Sequence, residues 1–147
     1  MKTSMNHTEN KVHALYWNQN LNCARTMLLC LGDRFHVAIA PQTLQAAVGM
    51  HGAGRFRAQC GLVEGALMFA GIIGSCDGHS DKDIESLCFR FAEAFTNRFG
   101  SLLCRDLRPG GFQPSDPPHA CESLTVQAVC FAEDFLHASG FLPRKIC

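Results

Sequence analysis

Cysteine is the residue in this chain whose type and placement could do chemistry: Cys23, Cys30, Cys60, Cys76, Cys88, Cys104, Cys121, Cys130 and Cys147. A thiolate is a nucleophile, a redox centre and a soft metal ligand, whereas a neutral buried thiol is a small hydrophobe. No two cysteines stand as C-x-x-C. There is no C-x-x-C-H for covalent haem and no paired zinc knuckle, so a shared site has to be assembled by folding.

Four cysteines stand where helices are expected to begin. Cys23 follows Asn22, a good N-cap. Cys60 leaves the glycine loop Gly49 to Gly54 for the first turn of an apolar helix, Cys104 lies three residues after Ser101, and Cys121 follows Pro117 and Pro118. Unpaired N–H groups and the positive end of the dipole favour an anion there, which lowers a thiol pKa. Cys30, Cys88 and Cys130 fall inside helical stripes and read as packing residues. Cys76 in "GSCDGHS" and Cys147 at the end of the chain have no assigned role, and packing alone remains an alternative for the helix-start four.

Helical periodicity must supply the scaffold. Ile84, Leu87, Cys88, Phe91, Phe95 and Phe99 recur at three and four behind a capping-box-like Ser80 and Asp83. Ala24, Met27, Leu28 and Leu31 form a stripe ending at Gly32, and Leu124, Ala128, Phe131, Phe135 and Leu136 form another that stops near Gly140. Residues 8–17 and 42–48 predict two more helices. Residues 58–73 are apolar on nearly every face, which predicts a central helix surrounded by the others. Gly61 and Gly65 would let neighbouring backbones approach it. Strand signals are weak, and "RPGGFQPSDPP" reads as a loop. The expected fold is all-α, one domain over residues 1–147, a bundle of five or six helices.

Composition narrows the function. Thirteen basic residues balance thirteen acidic ones, so no net field gathers nucleic acid or an anionic lipid surface. The apolar run Gly65 to Gly74 is far short of the roughly 20 residues of a membrane span. "MKTSMNHTEN" lacks the apolar stretch of a secretory signal, so a cytoplasmic location and free thiols rather than bridges are expected.

"LNCARTMLLCLG", "QCGLVEGALMFAGIIG", "FGSLLCRDL" and "HACESLTVQAVCFAEDFL" together resemble a family of redox-active proteins named for a C…CGAxxG…C…C pattern, related to the iron–sulfur part of split-Soret cytochromes. The resemblance covers most of the chain and places the family cysteines at Cys23, Cys60, Cys104 and Cys121. Leu62 stands where that pattern has alanine.

Three chemistries follow for these four residues. In the first, all four are thiolate ligands of an iron–sulfur cluster serving electron transfer. In the second, Cys60 attacks a disulfide, favoured by Arg55 and Arg57, and Cys104 or Cys23 resolves it. In the third they hold structural zinc. Glu64, one turn after Cys60, is either proton-linked to the site or a solvent-reaching or paired carboxylate. His51, His79 and His119 read as loop side chains rather than ligands, and Arg105 with Asp106 as a solvated or capping pair. A redox partner protein is implied, and a homodimer is compatible with an apolar central helix.

Overall fold

Punctuation in the sequence sets the helix ends. In the computed structural model, which describes residues 2–144, the order is α1 (Lys2–Trp17), α2 (Cys23–Phe35), α3 (Pro41–Ala46), α4 (Gly52–Arg55), α5 (Gly61–Cys76), α6 (Asp81–Phe99), α7 (Cys104–Leu107) and α8 (Glu122–Ala138). The all-α class is as expected. Five helices are long; α3 and α7 are single turns or little more, and α4 is a left-handed turn with Gly52 to Arg55 all at positive φ, and these short elements raise the number above five or six. Among the described residues no helix is long and apolar enough to cross a membrane.

Ser80 and Asp83 form the reciprocal capping box at the start of α6, and Gly100 ends that helix with φ 91°. Asn22 caps α2, its Oδ1 accepting from the Arg25 amide at 2.9 Å. Gly32 does not stop α2, which runs three residues further. A Cβ there would stand 2.8 Å from the Val37 carbonyl oxygen, so this glycine marks a close approach of the chain to its own helix.

α5 packs most extensively on α2 and also on α6 and α8. It begins at Gly61, later than expected, because the backbone of residues 58–60 is engaged with residues 102–104 and cannot be helical. Leu62, Val63, Phe69 and Ile73 are fully buried, whereas Leu67, Met68 and Ile72 are only partly so. The helix is therefore covered on three sides rather than enclosed. Each fully buried side chain of this size contributes about 1.5–3 kcal/mol. On the far side of the core, Phe91, Phe95 and Phe99 of α6 meet Phe131 and Phe135 of α8, with Phe91 and Phe135 edge to face at 5.3 Å.

The expectation of free thiols fails at Cys76, which is disulfide-bonded. It is exposed at the end of α5, where the C-terminal segment is tied down. Arg144 pairs there with Asp77, and its amide donates to the Phe35 carbonyl at 3.0 Å. Cys147 lies outside the described residues.

Candidate redox or metal site

The site is built where four chain segments begin their helices. Cys23 and Cys104 are the first residues of α2 and α7, and Cys60 and Cys121 are the N-caps of α5 and α8. A short backbone clamp sets Cys60 against Cys104. Gln59 bridges Leu103, the Cys60 amide donates to Leu102 O at 2.8 Å, and the Cys104 amide donates to Ala58 O at 2.7 Å. Cys23 is pressed onto the same place, its Sγ lying where a Cβ on Gly61 would be. Gly52, with φ 67°, brings the glycine loop within 3.2 Å of the Cys104 Cβ, measured from the position a Cβ would take.

All four sulfurs feel one another. A charge on Cys60, Cys104 or Cys121 disfavours one on Cys23; Cys104 and Cys121 do the same to Cys60, and Cys104 to Cys121. Yet among the described residues no three His, Cys, Asp or Glu side chains converge on the position of a single metal ion. The thiols are thus gathered within electrostatic reach, but more widely than one ion's shell, where tetrahedral Zn–S bonds of about 2.3 Å hold sulfurs about 3.8 Å apart.

The expected lowering of thiol pKa is reversed. Burial, the largest cause in each case, pushes all four up from the ordinary value of 9.0, Cys60 to about 11. The amides of Leu62 and Val63 pull Cys60 down and lose to desolvation. Arg108 and Arg57 pull Cys104 down, and Arg108 does so for Cys121, again without reversing the shift. In protein stripped of metal with a chelator, Cys60 should alkylate slowly at neutral pH and accelerate only toward pH of about 11. A thiol whose folded pKa is raised stabilises the fold below its unfolded value of 9.0, and that stability is lost as pH climbs through about 11. Urea midpoints of the stripped protein should fall over that window. Half-complete alkylation of Cys60 near neutral pH would contradict this.

Several neighbours carry no signal of spacing in the sequence. Tyr16, the only tyrosine, is buried against the site. Its hydroxyl shares a 2.6 Å hydrogen bond with Thr125 Oγ1, and its pKa is raised by burial and by Cys23, Cys121 and Cys60. His119 stacks on the Tyr16 ring at 4.7 Å. Arg57 and Arg108 both lie over the Phe112 ring, at 4.3 and 4.6 Å from its centroid, and Asp116 pairs with Arg108. That the lone tyrosine and lone tryptophan are adjacent is visible in the sequence, but nothing there links them to the cysteines.

The other candidates separate from the site. Cys30 is buried in the core; Cys88 and Cys130 are half-buried, their sulfurs 4.0 Å from Leu67 O and Thr8 Oγ1. Glu64 is half-buried, with its pKa raised by desolvation and no charged partner among the described residues. His51 meets Asn22 at 3.2 Å, and His79 lies against Phe141. Arg105 and Asp106 do not pair. Ser101 stands two positions before the N-cap Leu103, and its Oγ donates to Asp106 Oδ2 at 2.7 Å.

A family model described as "Putative redox-active protein (C_GCAxxG_C_C)" matches residues 21–135, a span that contains all four site cysteines. The chain belongs to this family. The second segment in that description runs G-C-A-x-x-G rather than C-G-A-x-x-G; aligned on Cys60, this chain has Gln59, Gly61 and Glu64 where the pattern has its first glycine, its alanine and its last glycine. Gly61 and Gly65 mark instead the close approach of α2 to α5, since a Cβ on Gly61 would meet Cys23 Sγ and one on Gly65 would press on Ala24 O at 2.5 Å. Leu62, expected to replace a family alanine, stands at a position the printed pattern leaves open and is fully buried in the core. No curated protein and no solved structure matches the chain.

Proposed function

We propose that this family member is an electron-transfer protein whose Cys23, Cys60, Cys104 and Cys121 ligate an iron–sulfur cluster. The observation that carries the reading is the meeting of four thiols from four separate segments in one partly buried place, flanked by Arg57 and Arg108. Four soft ligands are the donor set such a cluster takes, and bound there it would store and release one electron at a time. The chain's own contribution is positional and electrostatic. The backbone clamp fixes two ligands, the amides of Leu62 and Val63 face Cys60, and two guanidiniums offset the negative charge that four thiolates bring.

Two other chemistries of the same residues are less well supported. A thiol–disulfide enzyme needs a thiolate near neutral pH, and burial holds Cys60 and its neighbours protonated there. Structural zinc needs four sulfurs in one tight shell, and no three approach that closely among the described residues.

Protein purified without oxygen should be coloured and contain iron and acid-labile sulfide in comparable amounts. A colourless product with zinc would favour the structural ion, and one with no metal and reactive thiols would favour dithiol exchange.

A further inference from the structure

Beside the cysteines, one stretch of surface breaks the usual rules for side-chain placement. Phe56 is 83% exposed, the most exposed large apolar side chain described, with half-exposed Val48 and Met50 nearby. It is flanked by Arg55 and Arg57, both exposed and both held at φ 71°, in a loop where Gly52, Ala53 and Gly54 also have positive φ. Left-handed backbone at arginine and alanine costs free energy, and such strain persists only where surrounding structure imposes it. Here the imposing structure is the site itself. Gly52 and residues 57–59 are hydrogen-bonded into the clamp that holds Cys60 and Cys104, which leaves residues 55–57 exposed beside it.

The charge of this surface is predominantly positive. The Arg57 carbonyl accepts from the Arg105 amide, and Arg25 and Arg55 both bear on His51, so the four arginines share one rim. Among the described residues none of Arg25, Arg55, Arg57 and Arg105 has a carboxylate within 4.0 Å. In the same region Asp116 is paired with Arg108, and Asp106, hydrogen-bonded to the neutral Ser101 hydroxyl, keeps its charge, leaving four arginines against one unpaired carboxylate. The chain as a whole is neutral, so this rim is a local excess of positive charge beside an exposed aromatic ring. Arginine and an aromatic anchor are the residue types that dominate protein interfaces, and opposite charge steers the encounter.

We propose that the Arg55-Phe56-Arg57 loop, with Arg25 and Arg105, is the docking surface for an acidic protein electron carrier. The proposal rests on the reading of the cysteines as a redox centre, because it assigns the partner's redox role from the position of the rim over them. Phe56 fills an apolar depression on the partner, and the arginines meet a carboxylate patch around it.

The test titrates the whole protein, purified without oxygen, with two acidic carriers, a plant-type [2Fe–2S] ferredoxin and a flavodoxin, and with basic cytochrome c as the charge control. Binding is followed by calorimetry, and iron content is measured on every sample. Affinity for an acidic carrier should fall about tenfold or more from roughly 50 to roughly 200 mM salt. Arg55→Glu and Phe56→Ala should each weaken it about tenfold, while Lys82→Glu on the exposed face of α6 leaves it unchanged. Lack of binding to both acidic carriers, equal binding to cytochrome c, or insensitivity to Arg55→Glu with the helical circular dichroism intact overturns the proposal. So does preferential binding to phosphatidylglycerol vesicles, which would make the rim a lipid-facing surface. Iron-loaded protein that fails to bind removes the docking surface and leaves the cluster standing; iron-free protein that binds does the reverse.

Discussion

Gly61→Ala is expected to destabilise the fold and, on the proposed iron–sulfur reading, to lower the amount of bound iron in a single substitution. A Cβ at this position meets the Cys23 sulfur, stands 2.6 Å from the Met50 carbonyl oxygen and 3.1 Å from the Ala24 amide nitrogen. Two of the three obstacles are backbone and cannot rotate aside. Alanine gains helix propensity over glycine, but by at most about 1 kcal/mol, whereas forcing a methyl group into a filled space costs about 1–3 kcal/mol or more. The clash wins. A net loss of about 2 kcal/mol lowers the melting temperature of a chain of this size by several degrees, and the Cys23 sulfur moves off its position. The check is thermal unfolding together with iron content after anaerobic purification. Gly71→Ala supplies the contrast. Nothing lies within 4 Å of a Cβ there, so it should stabilise by up to about 1 kcal/mol and leave iron unchanged. Equal behaviour of the two variants would mean that the α2 to α5 contact is not what positions Cys23.

Replacing any one of Cys23, Cys60, Cys104 or Cys121 by alanine is expected to reduce bound iron severalfold, while the same change at Cys30, Cys88 or Cys130 is not. The chemistry differs although the residue is the same. On the proposed iron–sulfur reading, removing one of four ligands would leave the cluster short of a thiolate, and metal affinity is itself folding free energy when the ligands come from four segments. Removing a packing cysteine deletes one sulfur's worth of apolar contact, about 1 kcal/mol. The melting temperature of the four site variants should therefore approach that of chelator-treated protein, while the three packing variants fall only slightly. Iron retained in Cys104→Ala, or lost to the same extent in Cys88→Ala, would break the assignment of ligands. Helical circular dichroism of each variant separates loss of metal from loss of fold.

How much of this was legible beforehand differs from element to element. α6 was readable in full, because its phenylalanine stripe and its capping box are local patterns that one face of a helix either has or lacks. Gly32 misled, since a glycine that ends a helix and one that admits a neighbouring strand of chain look alike until the neighbour is present. The start of α5 was misplaced because residues 58–60 are taken by a partner some forty residues away. Direction of the thiol pKa shifts was inverted for a related reason. A helix start is a local feature that predicts a lowered value, whereas burial depends on everything folded around it and here outweighs the N–H groups.

What the sequence by itself determined is the all-α class, the long helices, and the identity of the four cysteines at helix beginnings, all of which follow from periodicity, caps and family pattern along the chain. Only the tertiary structure decided that those cysteines meet, that Cys76 is bridged, and that Tyr16, Phe112 and the arginine rim surround the site. The reason is distance along the chain. Separations of 37, 44 and 17 residues between successive site cysteines carry no local signature, and their meeting depends on how α2 packs on the glycines of α5 and on the backbone clamp between residues 58–60 and 102–104.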